Sequence, residues 1–155
     1  MTACFALTVL LAGALAGQDA VAAGKTFEKV LAKYPDNARA SFGLAVASLL
    51  NHDADRAQEL FEKLVGTAPA PGAEGQATAA HDPSIVAWSH VYLGRLHDFA
   101  EERDQALAEY QAALVIVGAP EAARVAAQRG IDAPYSPRGA GAATGTSGSG
   151  ASPKQ

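Results

Sequence analysis

Between Ala40 and Leu64 the apolar positions fall into two stripes of helical spacing. Ala40, Leu44, Ala47 and Leu50 recur at steps of three and four, Asp53 to Asp55 interrupt them, and Ala57, Leu60, Phe61 and Leu64 open a second stripe. Two amphipathic helices joined by a short polar turn form a hairpin. The plan returns downstream, where Val86 to Phe99 predicts a first helix, Glu101 to Arg103 a turn, and Asp104 to Val117 a second helix. Beyond it, Pro120 stands near a helix start, Glu121 in a first turn, Arg129 in a last turn and Gly130 just past the end. This order matches helix start, stop and dipole preferences and predicts a closing helix over Glu121 to Arg129.

The hairpins are copies of one unit. FEKVLAKYPDN, beginning at Phe27, returns as FEKLVGTAP at Phe61, and Ala23 with Ala57 and Pro35 with Pro69 share the same offset of 34 residues. In a third unit, Trp88 to Leu114, Leu93 takes the place of Leu44 and Gly94 that of Ala45, an offset of 49. The additional 15 residues lie in the APAPGAEGQATAAHDP stretch, where Pro, Gly and Ala crowd and the apolar period is lost, so a surface loop is expected over about 70–83. From Pro134 to Gln155 the chain is rich in Gly, Ser, Ala and Pro without periodicity, which predicts a disordered tail.

Residues 1–16 admit two readings. In the 34-residue register, Cys4 to Ala16 forms the first helix of unit one. The stretch from Ala3 to Gly17 is uncharged and lacks the solvated face of a terminal repeat helix, however, and ALTVLLAGALAG followed by a small-x-small site at Ala14-Leu15-Ala16 fits a cleaved export signal. The signal reading is favoured and places the protein outside the cytoplasm, in the periplasm, although no Lys or Arg precedes the apolar run. That run is shorter than the roughly 20 residues needed to cross a bilayer, so no stable transmembrane anchor is expected.

Composition narrows the function classes. The 155 residues are 49% hydrophobic but 6% aromatic, and 12 Lys plus Arg against 16 Asp plus Glu leave a net charge of −4. Such a chain offers no positive field for a phosphate backbone, so nucleic acid is not an expected partner. The single cysteine forms neither an internal disulfide nor a Cys-based metal cage. His90 and His97 lie two turns apart, about 10 Å along a helix, too far for one zinc ion. Both are assigned to packing; neither a metal nor a cofactor is expected. No nucleophile–base pair, GxSxG, HExxH or phosphate loop occurs, so the protein is read as a non-enzyme.

The repeat length and the pattern Leu44-Ala45, Ala57, Phe61, Pro69, repeated as Leu93-Gly94, Ala106, Tyr110 and Ala113 with Gly118 at the closing proline, resemble the tetratricopeptide repeat family. The match runs from about Gly17 to Gly130, with Ser41 and His90 at the family's tryptophan position; WSHVYLGR and AQRGIDAPY look like bacterial repeat proteins. The resemblance implies an all-α, right-handed α-solenoid of stacked helix-turn-helix hairpins over residues 17–133 with a C-terminal capping helix. It also implies a scaffold or adaptor whose first helices line a groove for a protein or peptide. By position, that groove is expected to be lined by Arg39, Phe42, Val46, Leu49 and Leu50 from one unit and Trp88, Val91, Arg95, Asp98 and Phe99 from the next. An alternative is a structural module of an envelope assembly that self-associates weakly through exposed repeat ends.

Overall fold

The computed structural model describes residues 18–66 and 82–136, and these form six helices. They are α1 (Gln18–Lys33), α2 (Ala38–Leu50), α3 (Ala54–Gly66), α4 (Pro83–Phe99), α5 (Arg103–Val115) and α6 (Glu121–Asp132). The described residues are all-helical, and each helix packs on the next in chain order. Helix α4 also packs directly on α2 and on α6, so these three run side by side along one face of a stacked-hairpin solenoid. The alternative readings of residues 1–16 lie outside the described residues, as do the expected loop as far as His81 and the expected tail from Pro137 on. No helix among the described residues is long and apolar enough to cross a membrane.

Polar side chains set the helix starts. Asn37 caps α2 by accepting the Ala40 N–H at 3.0 Å, and Asp53 accepts the Arg56 N–H at 3.2 Å at the head of α3. Helix α4 begins three residues before the expected Val86, because Asp82 accepts the Ser84 N–H at 2.9 Å and Pro83 occupies the first turn. A proline suits that position, where its missing N–H has no helical partner in any case. The two inter-helix turns are built alike. His52 and Glu101 both take positive φ, 61° and 63°, while the Asp53 N–H reaches back to the Ser48 carbonyl and the Glu102 N–H to that of His97. Each closes the preceding helix with the left-handed residue usual for such ends.

The period of the sequence is also a period of burial. Ala57, Phe61 and Leu64 on α3, and Ala106, Tyr110 and Ala113 on α5, are buried at matching register positions. Phe61 anchors a core shared by α2, α3 and α4, and Tyr110 a second core shared by α4, α5 and α6. On α1 the matching Ala23, Phe27 and Val30 are only half-buried. The aromatic rings require small residues opposite. Phe27 lies against Gly43, while a Cβ on Gly94 would stand 2.6 Å from the Tyr110 ring.

Gly130 corrects the expected end of the closing helix. Rather than stopping there, α6 continues to Asp132, with Gly130 buried inside it. The Tyr110 ring occupies the space a Gly130 side chain would need, so this glycine permits close approach and does not terminate the helix.

Candidate functional site

The face shared by α2 and α4 carries a run of aromatic rings. Phe61 rises from α3 between the two helices, its centroid 5.7 Å from Phe42 in an edge contact and 5.1 Å from Tyr92 in a nearly parallel stack. Phe42 and Tyr92 are 6.0 Å apart, and Trp88, one turn before Tyr92 on α4, is 6.2 Å from it. Phe42, Val46, Leu49, Trp88 and Tyr92 are all half-buried, their inner sides on the core and their outer edges accessible. This strip offers apolar area that is held rigid by its own packing.

Arg95 extends the strip by one turn, its guanidinium 5.4 Å from the Tyr92 ring centroid and 5.0 Å from that of Tyr135. Burial raises the Tyr92 phenol above its usual pKa, the nearby Arg95 charge pulling the other way. At the opposite end Arg39, largely exposed, reaches the Asp82 carboxylate at 3.1 Å and ties the head of α2 to the head of α4.

Not every expected groove residue faces outward. Val91 is 0% exposed and packs with Ala106, Tyr110, Ala113 and Ala127, so it belongs to the core and not to the groove. Asp98 likewise has a 0% exposed side chain. Its carboxylate accepts from Arg103 at 2.8 Å, the Tyr110 hydroxyl at 2.8 Å and the Tyr135 N–H at 2.7 Å, while Arg103 also donates to the Ile131 carbonyl at 2.7 Å. Val91 and Asp98 sit some 60–80° round α4 from the Trp88–Arg95 stripe, at 100° per residue, which turns them towards α5 and α6. Phe99, by contrast, is 71% exposed at the end of α4, and Leu50 is exposed at the end of α2.

Two aromatic residues, one of the strip and one lying over its end, escaped the sequence. Tyr92 occupies the register position of Gly43, where the second unit has no side chain to show. Tyr135 lies in the segment expected to be disordered from Pro134 onward. Its ring meets Arg95 and its backbone N–H meets Asp98. A lone aromatic in a low-complexity stretch carries no periodic signal.

His90 and His97 are engaged with carboxylates. Nδ1 of His90 is 2.7 Å from Glu109 of α5, and Nδ1 of His97 is 2.8 Å from Glu102 in the turn. Among the described residues no three His, Cys, Asp or Glu side chains are grouped to hold a metal ion.

A pile of helical hairpins with buried aromatics at a fixed period defines a helical-repeat protein. Residues 14–81 match the family model of the tetratricopeptide repeat, which supports reading the chain as a protein of that repeat type. No curated protein and no solved structure matches it. Tetratricopeptide repeats generally mediate protein–protein interaction, and the fold is typically a non-enzymatic adaptor.

Proposed function

We propose that the protein is a non-enzymatic adaptor that binds a peptide or helix of another protein along the α2–α4 face. The observation that carries this reading is the half-buried strip of Phe42, Val46, Leu49, Trp88 and Tyr92 ending in Arg95. Tryptophan, tyrosine and arginine are the side chains most often responsible for binding energy at interfaces. A strip already fixed by packing loses little conformational freedom when a ligand covers it.

A photo-crosslinking residue placed at Val46 or at Trp88 tests the assignment against one placed at Lys63, an exposed position on α3. The first two sites should trap the same partner in cells and Lys63 should not. Trp88→Ala combined with Arg95→Ala should abolish capture while leaving the helical circular dichroism signal intact. Equal crosslinking from Lys63 would move the interface off this face.

A further inference from the structure

The α4 end of the strip is already in contact with a piece of the chain itself. Past α6 the backbone turns extended at Ala133, with φ −152° and ψ 141°, and Pro134-Tyr135 comes back across the end of α4. Tyr135 makes two contacts there. Its ring lies over one side of Arg95, whose guanidinium also lies over Tyr92, and its N–H donates to the Asp98 carboxylate. We propose that Arg95 and Asp98 form a receptor for an aromatic residue carried on an extended segment, and that Tyr135 is the intramolecular occupant a partner's aromatic residue displaces.

Three observations support a receptor that exists apart from its occupant. Asp98 is held by Arg103 and the Tyr110 hydroxyl, so its carboxylate stays in position when Tyr135 leaves. Arg95 is presented from a helix and steadied by Tyr92, and among the described residues no carboxylate forms an ion pair with it. Tyr135 itself remains 36% exposed, so the occupant is seated without being enclosed. The contact pairs a cation with a ring face and a carboxylate with one backbone N–H. Any extended segment with an aromatic side chain and a free N–H at that residue supplies the same chemistry. The inference rests on the α2–α4 face being the binding face, and it names the partner class as an extended aromatic-bearing peptide in preference to an amphipathic helix.

The test uses the full-length chain, its Tyr135→Ala variant, and a synthetic capped peptide copying residues 132–137, Asp-Ala-Pro-Tyr-Ser-Pro. The readout is the Arg95 side-chain Nε–H resonance in protein labelled with ¹⁵N-arginine, which a ring stacked on the guanidinium shifts. In Tyr135→Ala the peptide should move this resonance saturably. The same peptide with Ala for Tyr should not, and adding Phe for Tyr should restore the effect. The wild-type chain should need about ten-fold more peptide, the factor expected when an intramolecular occupant fills the site about nine-tenths of the time.

Lack of a saturable shift up to about 5 mM peptide, the effective-concentration range of short tethers, overturns the receptor. Equal affinity of wild type and Tyr135→Ala overturns the role of Tyr135 as occupant. Should the peptide fail while crosslinks from Val46 and Trp88 persist, this inference falls and the binding face stands. Loss of those crosslinks with the peptide still binding gives the reverse.

Discussion

Gly118 stands where two earlier units carry Pro35 and Pro69, and its backbone explains the exchange. Its φ is +80°, whereas a proline ring fixes φ near −65°, so proline cannot occupy this turn. Gly118→Ala should lower stability by about 1 kcal/mol, the left-handed penalty of roughly 1–2 kcal/mol being partly offset by a stiffer unfolded chain. Urea unfolding measures this directly. Glu101 is the opposite case, a side-chain-bearing residue at φ 63°, and Glu101→Gly should leave stability unchanged or raise it by up to about 1 kcal/mol. Finding Glu101→Gly more damaging than Gly118→Ala would show that the φ argument does not govern these turns.

Tyr110 makes a second prediction at this scale. Burial first, and then its hydrogen bond to Asp98, raise the phenol pKa above the usual value of about 10. The folded chain therefore holds this proton more tightly than the unfolded chain. Its contribution is fully present below about pH 10 and is lost as pH climbs from there towards the folded pKa. Tyr110→Phe should lose about 1.5–3 kcal/mol at neutral pH through the missing charge-assisted bond. It should also lose less further stability than wild type between pH 9.5 and 11. Parallel pH profiles for the two proteins would remove Tyr110 as the source of the alkaline limb.

Among the helices, equal sequence does not mean equal burial. Phe27 and Phe61 open the same FEK tripeptide one repeat apart, but Phe61 is 0% exposed while Phe27 is half-buried. Phe61→Ala should cost about 3–5 kcal/mol, in the range for emptying an aromatic site in a core, and Phe27→Ala clearly less. Thermal or urea unfolding of the pair measures the difference, and matching losses would mean that the Phe27 ring is as fully enclosed as its repeat mate. The helices themselves were legible because a 34-residue period and two apolar stripes point to the same hairpin. What misled was residue type without context. Asp82 and Pro83 have loop composition yet start α4, and Gly130 has stop-signal composition yet admits the Tyr110 ring. At the strip, Phe42, Val46, Leu49, Trp88 and Arg95 were legible from register alone. Tyr92 was hidden because its mate is glycine, and Val91 and Asp98 were misplaced because a register position does not say that α6 covers that side of α4.

Across the whole described molecule the two cores meet in one element. Helix α4 supplies Ile85 and Leu93 to the Phe61 core and Val91 to the Tyr110 core, and it touches α2, α3, α5 and α6. Helices α1 and α6 each border fewer neighbours. In a stack where stability is a sum of unit and nearest-neighbour terms, opening from the α1 end breaks one interface and from the α6 end two, while exposing α4 breaks four at once. Native-state hydrogen exchange should therefore find the slowest amides in α4 around Ser89 to Leu93. Those of α1 and α6 should exchange at least about ten-fold faster through partial opening. Gly130→Ala, which forces Tyr110 against α6, should speed exchange in α5 and α6 and leave α2 and α3 nearly unchanged. If all six helices exchanged at one rate in both proteins, the stack would open as a single unit and α4 would have no special standing. If the gradient appears, the Trp88–Arg95 stripe lies on the most persistent of the described helices, so a ligand of that stripe would meet a surface that stays folded while α1 and α6 fray.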